Sequence, residues 1–145
     1  MIDAVEQSAS FYLDANAVIY FLEKVQPYNA VVAQIFGLAA RTGARMLTSD
    51  MAVAECLHGV FAAQRADLRD VYARFFESSQ ITVLPVDSAL LIAAAEIGGT
   101  RGLKLIDAAH VAAAERSACD VFVTNDRRIR SIATGRVLQI GPARI

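Results

Sequence analysis

The sequence predicts an α/β fold, a parallel sheet with helices on both faces. Three observations lead there. Apolar runs of about four to six residues recur along the chain, and helical patterns separate them, the signature of crossover connections between parallel strands. The 145 residues, 55% of them hydrophobic and 20% charged, suit one domain over 1–145 with one core and exclude a disordered chain. No internal repeat, low-complexity tract or linker divides the chain.

The elements follow in order. Ser10-Phe11-Tyr12-Leu13 reads as a short buried strand, and Ala15 to Glu23 as an apolar helix. Pro27 opens a helix running to about Arg41, with Gly43 in the C-terminal cap position. Arg45 to Thr48 is a second strand. From Ser49 a helix places Val53, Leu57, Val60 and Phe61 on one core-facing stripe. Asp67 to Ser78 is a further helix and Ile81 to Val86 the third strand. Asp87 caps a helix to about Ile97, which Gly98-Gly99 ends. Ile106 to Ser117 is helical, Asp120 to Val123 a strand, Asp126 to Ile132 a short helix, and Val137 to Ile140 the last strand.

Composition narrows the function classes. No apolar run approaches the ~18 residues of a membrane span, and no basic residue precedes the first apolar run as in a secretion signal, so the expected location is the cytoplasm without a membrane partner. Cys56 and Cys119 lack any paired spacing and read as buried free thiols. The net charge of −1 does not advertise a nucleic-acid binder. Yet only Lys24 and Lys104 are lysine; the other basic residues are arginine, whose planar fork grips phosphate oxygens in pairs.

In open α/β sheets, ligands sit at the carboxyl ends of strands. Two strands here end in acid. Phe11-Tyr12-Leu13 meets Asp14, with Asn16 two residues on, and Val121-Phe122-Val123 meets Thr124-Asn125-Asp126. A third acid, Asp107, opens a helix among Leu105, Ile106, Ala108 and Ala109. Carboxylates in apolar stretches need a reason. Helix capping is one reason, since Asp14, Asp107 and Asp126 each stand where a helix is expected to begin. Convergence on one sheet edge is another. Gathered carboxylates repel, and the usual compensation is a hard divalent cation such as Mg²⁺ or Mn²⁺.

Tyr12-Leu13-Asp14-Ala15-Asn16, Val53-Ala54-Glu55, Leu105-Ile106-Asp107-Ala108-Ala109-His110 and Val123-Thr124-Asn125-Asp126 resemble, in order and approximate spacing, the motifs of a PIN domain. The likeness spans nearly the whole chain and is similar in format to the single-domain toxins of the VapC type. It implies a three-layer fold with a five-stranded parallel sheet of order 3-2-1-4-5. It also implies Mg²⁺- or Mn²⁺-dependent endonucleolytic cleavage of RNA, with a homodimer neutralised by a small antitoxin protein. Residue by residue, it makes Asp14, Glu55, Asp107 and Asp126 the acidic catalytic and metal-binding set, with Asn16, Thr124 and Asn125 in support. Glu55 rests on the resemblance; helical spacing alone makes it a surface charge. Ala15 stands where the family often has a hydroxyl residue.

Other residues have two readings each. His110 shares a helix face with Asp107 and is a packed or supporting histidine rather than a ligand; His58 reads as a surface or helix-end histidine. Arg101, Lys104, Arg127, Arg128 and Arg130 flank the acids and either contact RNA phosphates or form a solvated face. Gly98 to Gly102 follows a helix rather than a strand, so it is a cap and turn, not a phosphate loop. The first strand-to-helix turn lacks the glycines of a dinucleotide site. Asn16 stands where a haloacid-dehalogenase phosphatase needs its second Asp. A catalytically inactive PIN-like scaffold and a housekeeping RNA-processing nuclease are the remaining alternatives.

Overall fold

The structure, a computed structural model, describes residues 2–141. After a short 3-10 turn at Ile2–Val5, the chain alternates strands and helices. The strands are β1 (Ser10–Leu13), β2 (Arg45–Ser49), β3 (Thr82–Leu84), β4 (Val121–Thr124) and β5 (Arg136–Gln139). The helices are α1 (Ala15–Leu22), α2 (Tyr28–Thr42), α3 (Asp50–Ala62), α4 (Ala66–Glu77), α5 (Ser88–Arg101) and α6 (Leu105–Arg116). All the strand pairs are parallel, in the order β3-β2-β1-β4-β5. Among the described residues no helix is long and apolar enough to cross a membrane.

The strands' two-residue period builds two cores. Phe11, Leu13, Met46, Val121 and Val123 point to one side, into a core completed by α1 to α4. Tyr12, Leu47 and Phe122 point to the other, where the alanine-rich α6 and the α5 residues Leu90, Ala94 and Ile97 cover them. β1 is the most central strand, and all four of its residues are buried. Its pairing with β4 matches Tyr12 to Phe122, whose rings stack at 5.3 Å. Cys56 and Cys119 are buried free thiols, and burial pushes Cys56 up to about 12.

Three sequence expectations need correction. The buried stripe of α3 is Ala52, Cys56 and Val60, whereas Phe61 is 59% exposed and lies under the Arg69 guanidinium. α5 does not stop at Gly98-Gly99. It runs to Arg101 and closes on Gly102, at φ 72°. Gly98 is there for closeness, because a Cβ at that position would lie 3.0 Å from the Leu103 carbonyl oxygen and 3.4 Å from Ala108 Cβ. The expected helix over Asp126–Ile132 is instead a turn followed by irregular chain. Ile129 N donates to the Asp126 carbonyl at 3.2 Å, the bond of a turn, and Gln139 Nε2 donates to the carbonyls of both Asp126 and Ile129 at 3.0 Å. Of the two readings left open for Asp107, capping is excluded: Lys104 holds the N-cap position of α6, and no side chain makes a cap bond there.

Candidate active site

The strand order reverses direction between β1 and β4, and the crevice beyond their carboxyl ends is where this architecture collects ligands. Asp14 is the first residue past β1. It is buried, it caps α1 by accepting from Ala17 N at 3.0 Å, and its other oxygen accepts from Thr124 Oγ1 at 2.6 Å. Thr124, the last residue of β4, also accepts from Asp126 N at 2.9 Å. One hydroxyl therefore ties the ends of both central strands together. Burial pushes the Asp14 carboxyl above its ordinary range, against the pull of His110 and the Thr124 bond.

Asp126 and Asp107 form a second acidic pair. Asp126 Oδ1 accepts from Arg128 N at 2.9 Å and Arg128 Nε at 3.1 Å, and Oδ2 accepts from Arg128 Nη2 at 2.9 Å. The same Nη2 stands 3.6 Å from Asp107 Oδ2. The two carboxyls respond in opposite directions. The bond to Arg128 holds Asp126 below the usual carboxylate range, while burial and then the neighbouring Asp126 charge push Asp107 above it.

Glu55 reaches the site from α3. It is half-buried, and its Oε1 lies 2.5 Å from His110 Nε2. His110, buried on α6, turns Nδ1 to the Tyr12 hydroxyl at 2.8 Å, and that hydroxyl bonds Ser49 Oγ at 2.7 Å. Sequence reasoning placed His110 as a packed or supporting residue but did not find Tyr12 or Ser49. A buried tyrosine on β1 facing a buried histidine on α6 is visible only once the helix is laid across the sheet.

The supporting residues divide. Thr124 touches both strand-end acids as described. Asn125 instead donates to Tyr20 Oη at 2.9 Å, fastening the end of β4 to α1. Asn16 is exposed and makes no side-chain hydrogen bond among the described residues. Of the basic residues, Arg128 binds the acids, and Arg101 pairs with Glu115 at 2.8 Å. Lys104, Arg127 and Arg130 are exposed, as is His58.

The donor set is oxygen throughout, and two of its four carboxyls are pushed up by burial or by a neighbouring acid. That chemistry fits a hard divalent cation such as Mg²⁺ or Mn²⁺. The ligands are not drawn together, however: among the described residues no three His, Cys, Asp or Glu side chains form a group that could hold a metal ion. They fall instead into two electrostatically coupled pairs, Asp14 with Glu55 and Asp107 with Asp126. His110 bonds the first pair's Glu55 and pulls electrostatically on both Asp14 and Asp107.

Comparison with known proteins covers most of this architecture. The family described as PIN domain matches residues 11–135. No curated protein matches the sequence. Among solved structures, VapBC2 from Rickettsia felis, bound to a DNA fragment from its promoter, superposes with a TM-score of 0.70 at 16% identity, covering 90% of this chain and 98% of that one. A toxin–antitoxin complex from Klebsiella pneumoniae gives 0.65 at 14% identity, over 91% of this chain and 98% of that one. VapC20 from Mycobacterium tuberculosis, described as a sarcin-ricin loop cleaving toxin, gives 0.65 at 14% identity, over 77% and 86%. At these identities the likeness is one of fold.

Proposed function

This chain belongs to the PIN domain family, and from that premise we propose that it is a Mg²⁺- or Mn²⁺-dependent endoribonuclease, the toxin of a type II toxin–antitoxin pair. One observation carries the reading. Asp14 Oδ2 and the Asp126 main-chain N–H are joined through the Thr124 hydroxyl at the switch between β1 and β4, while Glu55 from α3 acts electrostatically on Asp14 and Asp107 from α6 is coupled to Asp126. Caps alone give no reason for such convergence. Asp107 caps nothing, and Asp126 stands at a turn rather than a helix.

In this reading Asp14, Glu55, Asp107 and Asp126 hold the cation. When bound, the cation supplies positive charge against a phosphodiester and acidifies an attacking water. The chain's own residues do the rest. Thr124 and the α1 amide fix the Asp14 carboxylate in one orientation, so its position costs nothing to establish when substrate arrives. His110 holds one oxygen of Glu55 and leaves the other for the site. Arg128 balances Asp107 and Asp126, and Arg101 and Arg130 offer positive charge to the RNA backbone beyond the acids.

The proposed partners are RNA as substrate and a small antitoxin as inhibitor. The reading is supported by the Klebsiella pneumoniae neighbour, a toxin–antitoxin complex, and by VapC20, described as a sarcin-ricin loop cleaving toxin. In this reading the chain works as a homodimer in the cytoplasm, with residues 1–145 forming one nuclease domain.

The test is cleavage of single-stranded RNA by purified protein. Mn²⁺ or Mg²⁺ should support it and EDTA should stop it. Asp14→Asn should lower the rate about a hundredfold or more, since even an outer support of a metal site is worth 10- to 100-fold by rough estimate. The fold should survive, because Asn caps a helix about as well as Asp. An Asp14→Asn protein, free of contaminating nuclease, that cuts at the wild-type rate overturns the assignment.

A further inference from the structure

The irregular chain that replaces the expected helix after Asp126 leaves a cavity of about 420 Å³ between itself and the end of α5. Arg101, Arg128 and Arg130 line it, with Ser131 as a further polar group and Leu103 and Ile129 as apolar wall. None of the lining residues is acidic. The volume falls within the range of small-ligand sites, roughly 300–1,000 Å³.

Three guanidinium groups around one cavity repel unless something holds them. Glu115 anchors Arg101 at 2.8 and 3.3 Å from outside the cavity, and Asp126 with Asp107 anchors Arg128. A guanidinium has five donors, and these anchors use only part of each set. Arg130 has no ion pair among the described residues and is exposed. The cavity therefore presents fixed, partly satisfied donors and one cation without an ion pair among the described residues, a combination that suits a phosphate oxygen cluster. Its position supplies the rest. Arg128 forms part of the cavity wall and also bonds the acidic pair, so an anion held here lies beside the acids rather than on them.

We propose that this cavity is a phosphate subsite gripping the RNA backbone next to the acidic cluster, with Arg130 and Arg101 as its contacts and Arg128 shared with the acids. The substrate class rests on the nuclease reading above. The subsite separates basic residues that the sequence treats alike: Arg101, Arg128 and Arg130 line the cavity, and Lys104 and Arg127 do not.

The experiment measures binding without cleavage. A fluorescein-labelled single-stranded RNA is titrated with wild type, Arg130→Ala, Arg101→Ala and Lys104→Ala in EDTA at several KCl concentrations. Each lost phosphate contact lowers the slope of log K against log salt by about 0.7, or about fourfold in affinity near 0.15 M when extrapolated from 1 M. Arg130→Ala and Arg101→Ala should show that loss, and Lys104→Ala should keep the wild-type slope. Arg130 makes no ion pair among the described residues, so its variant should stay folded; melting curves check Arg101→Ala. An unchanged slope in Arg130→Ala overturns the subsite even if wild type cuts RNA with Mn²⁺. Conversely, a wild type that does not cut but loses slope on Arg130→Ala keeps the subsite and removes the nuclease reading. Arg130-dependent capture of a polyglutamate peptide without Arg130-dependent RNA binding also overturns the proposal.

Discussion

At His110 both ring nitrogens are engaged, Nδ1 with Tyr12 at 2.8 Å and Nε2 with Glu55 at 2.5 Å. The ring cannot rotate without breaking one bond or the other. Burial pushes the Tyr12 hydroxyl well above its ordinary range, so it stays protonated and available as a donor. The chain Ser49–Tyr12–His110–Glu55 thus crosses from β2 through β1 and α6 to α3, using groups that would each be costly to bury alone. Tyr12→Phe keeps the ring stacked on Phe122 but strips the hydroxyl between two buried polar partners. It should lower the unfolding free energy by about 1–3 kcal/mol in urea titrations, the cost of an unsatisfied buried group. A change within a few tenths would mean the network is not formed. The sequence pointed to His110 as a supporting residue, but only its neighbours across the sheet say what it supports.

Elements meet at caps, and the cap of α5 is coupled to the end of α6. Asp87 Oδ1 accepts from Leu90 N and from Arg116 Nη1, both at 2.9 Å, while Arg116 Nη2 reaches the Pro85 carbonyl. The Leu90 amide first, and then Arg116, hold the Asp87 carboxyl below its usual range. A carboxyl depressed in the folded state stabilises above its unfolded pKa, and that stability is lost as pH falls through the folded value. Asp87→Ala should therefore melt a few degrees lower than wild type at pH 7. The gap should close as pH drops below about 4. A gap that stays constant with pH would leave the ionised cap without a role. This cap was legible from the sequence because an N-cap signal is local. The continuation of α5 through Gly98-Gly99 was not, because the glycine serves a contact with Leu103 and Ala108 rather than a helix end.

For the whole molecule, the acidic edge sets a balance between fold and ligand. Burial raises Asp14, and burial with the Asp126 charge raises Asp107, so ionising these groups costs stability as pH rises through their folded values. Asp107→Asn should raise the melting temperature in EDTA, since it removes a charge the metal-free fold opposes and no cap depends on it. A cation that binds the folded cluster and not the unfolded chain stabilises by about 2.7 kcal/mol at a hundredfold excess over Kd. Mn²⁺ should therefore raise the melting temperature of wild type, and raise that of Asp107→Asn less. If Mn²⁺ shifts neither protein, the acids form no metal site. A loss of stability in Asp107→Asn at every metal concentration would make the carboxylate structural.

The sequence by itself determined the alternation of strands and helices, the two-sided burial of the sheet and the strand-end placement of Asp14 and Asp126. These follow from periodicity and from chain-local caps and turns, which neighbouring residues specify. Sheet order entered through resemblance to a family. Tertiary structure alone decided the rest: that Thr124 joins two strand ends, that Glu55 meets His110, and that Arg128 spans Asp107 and Asp126. It also has a turn in place of the expected helix at Asp126–Ile132, with the Asp126 and Ile129 carbonyls both accepting from Gln139 on β5. A single side chain, thirteen and ten positions further along the chain, makes both bonds. A local pattern has no means to register a side chain that far along the chain, and the segment closes on the turn bond from Ile129 N to the Asp126 carbonyl at 3.2 Å.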